Sequence, residues 1–436
     1  MLHDADRRAL RTRGFRIRDS LRSLWSTTRG EPLFVFLVCL AGWTLSNLDQ
    51  SLFGYAIPGI RAEFGSALSD IGWILSASFL AAAVLTVILG VLSDTKGRKP
   101  LFIATLAISA LLVGMQAFAP TFLVLAIIRV AAFGVSNGLA PIVLAYNVEV
   151  APARLRGIFT GFLNCGYPLG WFIGSLIAAP LIATHGWRAI FLPALLVIPL
   201  ALLLSRWLPE SKRFRDASLT GTRTHSRGDL GLRFAALFDK RLRRRTIACM
   251  TANFLFGGAY AGTAFYLPTF YHEVRGYPIS RATYIVGLAY GLGTLGYILA
   301  AIVGEFVLSR RNTSALWFVA GAASLTCMVW LPSTFAEDVV AFGVTAAFFY
   351  GSQAVFGTFS TEIFPTRIRA TAMAFSASFA NYLGFAIFPL IVAWAVPRIG
   401  WQWAFTLVSA PMLCLAAMAI LQIENFQSGI DVDAIG

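Results

Sequence analysis

Long apolar runs are the feature that most constrains the fold of this chain. About twelve stretches of roughly 20 or more mainly apolar residues follow one another, each long enough to cross the ~30 Å hydrocarbon layer of a membrane as a helix. The mean hydropathy of +0.71 and the 13% content of charged residues lie far outside soluble globular usage. The runs are continuous and do not alternate, which favours helices over strands. We predict an all-α membrane protein with twelve transmembrane helices, spans 1 to 12, over residues 33–60, 68–92, 100–119, 121–148, 156–184, 188–208, 246–271, 280–308, 314–333, 338–361, 370–396 and 402–423.

Lysine and arginine in the short loops predict the orientation, because they favour the cytoplasmic side. With the N-terminus inside, 29 of the 35 lie on the cytoplasmic face and 5 on the opposite face, while Arg129 lies within span 4. Both termini are therefore expected in the cytoplasm, with the chain in a bacterial inner membrane. A polar segment after span 6 separates two sets of six spans. The expected organisation is an N-terminal arm at 1–32, a first half at 33–208, a central loop at 209–245, a second half at 246–423 and a tail at 424–436.

Composition and motifs exclude several classes of function. The net charge of +14 is accounted for by loops that face anionic lipids, so we expect no nucleic-acid partner. The five cysteines fall within spans and lack the spacing of a disulfide framework or a zinc site, and the four histidines fall in loops or termini. No metalloprotease or phosphate-binding motif is present. We expect no enzyme activity, no cofactor and no metal, and a monomer in the lipid bilayer.

Three landmarks indicate an internal duplication. The segment EVAPARLRG, which begins at Glu149, recurs in the second half as EIFPTRIRA, which begins at Glu362. GWRAIF at Gly186 recurs as GWQWAF at Gly400, and Gly90 has a counterpart in Gly304, all at nearly the same offset along the chain. Each predicted half begins inside and has an even number of spans, so the halves have parallel topology. Transporters built from such repeats place the substrate site between them near the membrane midplane.

The inner loop after span 2 carries the most specific motif, GVLSDTKGRKP. Gly90 would allow close helix approach, Asp94 and Arg98 can pair at a helix end, and Gly97 permits a tight turn. The stretch resembles the major facilitator superfamily loop signature G-x-x-x-D-x-x-G-R-[RK], filled by Gly90, Asp94, Gly97, Arg98 and Lys99. The resemblance covers roughly residues 33–426 and implies the twelve-helix major facilitator fold.

The same resemblance implies that charged groups at the inner helix ends act as a gate. In the family they latch the outward-open state and separate as the two halves rock. The second copy of the loop, GEFVLSRRN, has Leu308 in place of the aspartate and offers only Glu305 nearby. The alternative is that these charges only fix topology and form surface ion pairs. The expected gating residues, besides those of the loop signature, are Glu149, Arg154 and Arg156 in the first half and Glu305, Glu362, Arg367 and Arg369 in the second.

Span 1 carries a carboxylate in the middle of an apolar helix, which marks a functional site by default because it is costly in a membrane. Asp49 is followed by Gly54 and Pro58 at +5 and +9. This spacing resembles the first span of the aromatic acid/proton and metabolite/proton symporters. The PESKRF segment at Pro209 fits sugar porters and organic-acid symporters alike, but the chain lacks the sugar-porter motif after span 12 and the Gly-Pro antiporter motif of span 5. The resemblance implies proton-coupled uptake of a small organic acid; a sugar or polyol/proton symporter, a uniporter or efflux transporter, and a non-transporting sensor are the alternatives.

Arg129 is the expected partner of Asp49. The depths of the two residues, at ~1.5 Å of rise per residue, agree within ~6 Å. Burial favours the neutral form of a lone carboxyl group and a guanidinium beside it favours the charged form, so a conformational change that moves the pair alters proton affinity. Protonation of Asp49 would then free Arg129 to hold a substrate carboxylate. The alternative is a static ion pair that fixes spans 1 and 4.

Other polar residues within the spans are candidates for substrate contact. In the family, helices 1, 4, 7 and 10 line the central cavity. Each such residue can instead bridge or pack helices. The candidates are Asn47, Asn137, Tyr260, Tyr350 and Gln353, with Asn164, Tyr167 and Asn381 from spans 5 and 11.

Overall fold

The computed structural model of the chain describes residues 30–150, 159, 162–210, 237–240, 242–365 and 368–425. Most of the predicted arm, central loop and tail lies outside these residues, as do three predicted gating residues, Arg154, Arg156 and Arg367. The side chains of Asp94 and Arg369 also lie outside the description. The terms inner and outer follow the predicted orientation.

The regular elements of the first half are helices. Five of them begin within two residues of the predicted starts of the spans, whereas span 5, predicted from residue 156, has its helix from Gly166. Spans 4 and 6 are each built from two consecutive helical segments. The bounds are Glu31–Phe64 for span 1, Leu68–Lys96 for span 2, Arg98–Met115 with the turn Gln116–Phe118 for span 3, Phe122–Asn137 and Leu139–Val150 for span 4, Gly166–His185 for span 5, and the 3₁₀ segment Trp187–Leu196 followed by Val197–Trp207 for span 6.

The second half repeats this arrangement, with π-helical turns in its last three spans. The bounds are Arg243–Ala264 and Leu267–Glu273 for span 7, Ile279–Phe306 for span 8, Arg310–Trp330 for span 9, Phe335–Thr345, Ala346–Tyr350 and Ser352–Glu362 for span 10, Arg369–Ala372, Met373–Phe379 and the part of Ala380–Ala404 before Gly400 for span 11, and the remainder of that helix, Phe405–Ser409 and Ala410–Leu421 for span 12.

The twelve-helix prediction is confirmed, although one span is more polar than the others. Ten segments in the described part of the chain are long and apolar enough to cross a membrane. The last of them, Met373–Leu421, contains two crossings because the backbone leaves the helical region at Gly400. The remaining span is Arg243–Ala264, which begins with three arginines and carries threonine, asparagine and glycine along its length.

The repeated GW motif adopts the same backbone conformation in both halves. Gly186 has φ 78° and ψ 178°, and Gly400 has φ 77° and ψ 165°. Only glycine enters this region without strain, so each motif ends one span and starts the next at a sharp turn. The backbone thus supports the duplication inferred from the sequence.

Close helix packing also repeats, at equivalent positions of the two halves. A Cβ atom on Gly170 would lie 2.7 Å from the Thr44 carbonyl of span 1, and one on Gly384 would lie 2.2 Å from the Phe254 carbonyl of span 7. Spans 1 and 5 of the first half therefore pack as spans 7 and 11 of the second. Gly90 differs from its prediction: a Cβ there would meet Pro141 at an ordinary 3.5 Å, so this glycine does not serve a close approach.

The two halves meet along a seam formed by span 2 against span 11, span 5 against span 8, and span 1 against span 7. The Ser76 hydroxyl donates to the Ala386 carbonyl across this seam, and Phe79 packs against Phe385 with ring centroids 4.8 Å apart. A Cβ on Gly287 would collide with the Ser175 side chain, so spans 5 and 8 are in direct contact. These contacts close the outer and middle parts of the seam.

Candidate functional site

Asp49 and Arg129 form an ion pair inside the first half. Arg129 Nη1 lies 2.9 Å from Asp49 Oδ1 and 3.3 Å from the Asp49 carbonyl oxygen. Asp49 is 3% exposed and Arg129 is fully buried. Asp49 Oδ2 and Arg129 Nε and Nη2 have no hydrogen-bond partner among the described residues, so the pair is only partly satisfied there. A buried, under-bonded ion pair responds strongly to any change that neutralises or moves one partner.

The pair faces the interior of the first half and not the seam. A small cleft of about 30 Å³, lined by Asp49, Ser109 and Ser136 among residues of spans 1, 3, 4 and 6, lies beside the carboxylate. The guanidinium is covered by the rings of Phe53 and Phe133, whose centroids lie 4.4 and 4.7 Å from Arg129 Cζ. Both rings cover the guanidinium in this conformation, and the role of Arg129 as a direct substrate ligand stays a prediction.

Three amides on spans 1 and 4 form a cluster that faces the second half. Gln50 Nε2 donates to Asn47 Oδ1 and to Asn137 Oδ1, each at 3.3 Å. Asn47 and Asn137 in turn donate to the carbonyls of Trp43 and Phe133. Gln50 lies one turn before Gly54, whose Cβ position is 3.6 Å from the Phe265 carbonyl of the second half. Gln50 was not among the predicted site residues, and its spacing of three from Asn47 was the available signal.

A set of aromatic residues fills the middle of the seam. We call Tyr167, Trp171, Tyr260, Tyr290 and Tyr350 the seam cluster. Three of these were predicted, whereas Trp171 and Tyr290 were missed because nothing in an apolar helix distinguishes a packing ring from a lining one. Trp171 and Tyr290 stack at 4.8 Å, Tyr290 and Tyr350 at 5.1 Å, and Tyr167 contacts Tyr260 at 5.8 Å. Two members thus come from span 5 of the first half and three from spans 7, 8 and 10 of the second.

The remaining predicted contacts lie on the inner side of the seam cluster. Asn164 is exposed, and Gln353 and Asn381 are half-buried. Gln353 Oε1 and Asn381 Oδ1 have no hydrogen-bond partner in the described part of the chain.

At the inner end of the first half, charged residues tie three helix ends together. Arg98 Nη2 lies 3.0 Å from Glu149 Oε1, and Nη1 lies 3.0 Å from the Ser93 hydroxyl. Glu210, from the PESKRF segment, accepts from the backbone N–H groups of Arg98 and Lys99 at the start of span 3. Gly97 has φ 103°, which matches its predicted turn. Glu149 therefore pairs with Arg98, and the capping role of Glu210 was not predicted.

The second half has an equivalent cluster with a different cation. Arg310 pairs with Glu362, and its Nη2 lies 2.5 Å from Glu305 Oε2. Arg310 was not predicted as a gating residue. In the alignment of the two repeats it corresponds to Lys96 of the first half, and not to Arg98. Glu424, the counterpart of Glu210 in the second half, pairs with Arg245 at 2.6 Å.

The outer ends carry a matched pair of contacts with one difference. In the first half, Glu63 accepts from Trp187 Nε1 at 2.8 Å and pairs with Arg188 at 2.7 Å. In the second half, Glu273 accepts from Trp401 Nε1 at 2.8 Å, but its ion-pair partner is Arg61 of the first half. Gln402 stands where Arg188 stands in the first copy. The second carboxylate therefore takes its cation from across the seam.

Comparison with known proteins agrees with this architecture. A family profile described as the Major Facilitator Superfamily matches residues 39–361. A gallate transporter of Pseudomonas putida is 29% identical over 89% of this chain and 90% of its own length, and a cis,cis-muconate transport protein of Acinetobacter baylyi is 29% identical over 83% and 86%. The crystal structure of a D-xylose-proton symporter superposes with a TM-score of 0.69 at 20% identity, over 90% of this chain and 98% of that one.

Proposed function

The chain belongs to the major facilitator superfamily, whose members are transporters and not enzymes, and on that premise we propose that it carries a small organic acid inward together with protons. The acid is expected to be planar and unsaturated or aromatic. The named substrates of the two similar transporters, gallate and cis,cis-muconate, are flat carboxylates. Flat rings fit a site built from five aromatic side chains.

The observation that carries the proton-coupling proposal is the position of the Asp49–Arg129 pair behind an aromatic relay. Arg129 lies under Phe133, and Phe133 packs on Phe79 at 4.9 Å. Phe79 crosses the seam to Phe265 at 5.5 Å and Phe385 at 4.8 Å. A proton on Asp49 removes the attraction that holds Arg129, so the guanidinium moves and Phe133 and Phe79 repack against the second half. The proton thus acts on the seam without contact between Asp49 and substrate.

Alternating access follows from the distribution of charged contacts. The Arg61–Glu273 pair closes the outer end in this structure, and the inner clusters around Arg98 and Arg310 each lie within one half. Asn164 is exposed and Gln353 and Asn381 are half-buried, on the predicted inner side of the seam cluster. We therefore propose that the described conformation is inward-facing, in a monomer of a bacterial inner membrane with both termini in the cytoplasm.

Proteoliposomes test the coupling directly. Purified protein would be reconstituted with a pH-sensitive dye inside, and gallate, cis,cis-muconate, 4-hydroxybenzoate and neutral sugars added outside. We expect an acid to acidify the lumen in the wild type. Asp49→Asn is expected to exchange labelled acid across the membrane but not to concentrate it, because the proton-binding group is gone while the side chains of the seam cluster are unchanged.

Two outcomes would contradict the proposal. Accumulation of the acid by Asp49→Asn against its gradient would make Asp49 a structural residue. Uptake of a sugar with protons, and of no acid, would overturn the substrate class and leave the alternative of a sugar or polyol symporter.

A further inference from the structure

Any acid that binds in the seam needs partners for its carboxylate, and the described residues offer no free cation there. Among the lysine and arginine side chains that the structure describes, Arg129 is the one in the middle of a span. Its guanidinium is fully buried, paired with Asp49 and covered by two rings. A carboxylate in the seam would therefore be bound by neutral groups or left without partners, and the latter is costly in a low-dielectric site.

Neutral donors do converge in the seam cluster. The Trp171 indole N–H and the Tyr167 hydroxyl are buried and have no hydrogen-bond partner within the ranges that the structure describes. Tyr167 lies one helical turn before Trp171 on span 5, and its ring packs against that of Tyr290 with centroids 6.4 Å apart. Tyr290 in turn approaches Tyr260, with 3.4 Å between their hydroxyl oxygens. An unpaired buried indole N–H is uncommon in a folded protein unless something else accepts its hydrogen bond.

We infer that the carboxylate of the transported acid is held by neutral donors of the seam cluster, namely the Trp171 N–H with the Tyr167 and Tyr290 hydroxyls, and not by Arg129. This inference rests on the proposed function. Several neutral donors aimed at one point stabilise an anion in a water-poor site, since each hydrogen bond to a charged acceptor is stronger than one to a neutral acceptor.

The arrangement also links binding to conformation. Trp171 and Tyr167 belong to span 5 of the first half, whereas Tyr290 belongs to span 8 of the second. An anion that accepts from both sets binds best when the two halves are close together, so binding favours closure of the seam.

Comparing the affinity for an acid with that for its amide distinguishes recognition of the carboxylate from packing of the ring. Purified protein in lipid nanodiscs would be titrated with gallate, 4-hydroxybenzoate and niacin, and with the amide of each acid. For the acid that binds most tightly, Trp171→Phe is expected to raise the Kd by about tenfold or more, the effect of one lost hydrogen bond to a charged group. The Kd of the matching amide is expected to change much less, because it carries no charge.

Two further variants keep the test decisive. Tyr167→Phe removes a single hydroxyl and is expected to weaken acid binding in the same selective way, even if Trp171→Phe folds poorly. Trp317→Phe is the matched control: the Trp317 indole N–H is also buried without a partner among the described residues, but it packs beside Ala300 and Val355 within the second half. Its acid and amide affinities are expected to match the wild type.

The possible failures are distinguishable. If the wild type binds an acid and Trp171→Phe and Tyr167→Phe bind it equally well, or lose acid and amide to the same degree, the inference is wrong while the proposed function stands. If the wild type binds none of the three acids and takes up no acid in the proteoliposome assay, the proposed function fails and the inference fails with it.

Discussion

At the scale of the residue, the Asp49–Arg129 pair shows how strongly one side chain depends on another in a membrane interior. Each charge is removed from water, and each is stabilised chiefly by its partner at 2.9 Å. The rings of Phe53 and Phe133 add a second, weaker attraction to the guanidinium. Removing one charge leaves the other buried and alone.

The first prediction concerns this dependence. Asp49→Ala is expected to lower the stability of the folded protein by about 3–5 kcal/mol, because Arg129 remains charged and unpaired. The double variant Asp49→Ala/Arg129→Met is expected to recover most of the loss, since neither charge remains. Thermal unfolding of the purified proteins in detergent measures both effects. Equal melting temperatures for Asp49→Ala and wild type would show that the pair contributes nothing to folding.

A second prediction isolates the aromatic relay. Phe79→Leu keeps an apolar side chain but removes the ring that joins Phe133 to Phe265 and Phe385. We expect the variant to bind the acid with near wild-type affinity and to move fewer protons per acid. The ratio of dye-detected protons to labelled acid in proteoliposomes gives the answer. Phe172→Leu, on span 5, is a control outside the relay, and a proton-to-acid ratio unchanged in Phe79→Leu would remove the relay from the mechanism.

Single residues were also where sequence reasoning was least complete. Asp49 and Arg129 could be predicted because charges within apolar helices are rare and their depths can be estimated. Gln50, Trp171 and Tyr290 could not be separated from packing residues, because their roles depend on which helix face meets the other half. Arg310 was missed for a related reason: its contact with Glu362 joins spans 9 and 10, and sequence spacing does not encode that distance.

At the scale of the element, the spans and most of their ends could be predicted. The thickness of the membrane sets the length of each apolar run, and lysine and arginine mark the loops on the cytoplasmic side. The structure adds where helices approach each other most closely. A Cβ atom at Gly170 or Gly384 would collide with the neighbouring helix. A Cβ atom at Gly90, the glycine of the sequence motif, would make only an ordinary contact. The glycine that begins the loop motif is therefore not one of those that allow two helices to pack closely in this chain.

A third prediction uses that contrast. Gly170→Ala is expected to destabilise the folded protein by about 1–3 kcal/mol, because the new methyl group meets backbone atoms of span 1 that cannot move aside separately. Gly90→Ala is the matched control and is expected to be near neutral. Size-exclusion profiles and melting temperatures in detergent measure the difference. If Gly90→Ala were the more damaging of the two, the packing described for these helices would be wrong.

At the scale of the whole molecule, one ion pair in the described part of the chain holds the halves together at the outer end. Arg61 and Glu273 are 25% and 37% exposed, so solvent screens the pair and its contribution is modest. A modest energy still matters for a transporter, because two conformations of similar energy interconvert. About 1 kcal/mol changes their ratio roughly fivefold.

The fourth prediction follows from this balance. Arg61→Glu is expected to shift the population toward the outward-open state, because two carboxylates then face each other at the outer end. The double variant Arg61→Glu/Glu273→Arg is expected to shift it back. Ser76→Cys on the seam, in a background without the native cysteines, reports opening through its rate of labelling by a membrane-impermeant maleimide. A labelling rate that is the same in all three proteins would contradict a latch at this position.

The Arg61–Glu273 pair arises from a difference between the two repeats. Both halves place a glutamate beside the indole of the GW motif, but only the first supplies its own arginine, at Arg188. The halves are therefore no longer interchangeable building blocks. A chimeric chain made of two first halves would satisfy each glutamate internally and lose the electrostatic tie between its lobes. One made of two second halves would carry Arg275 in the place of Arg61, and that arginine already pairs with Asp338 of its own half. Divergence after duplication has thus left Glu273 of the second half dependent on Arg61 of the first half for its ion pair.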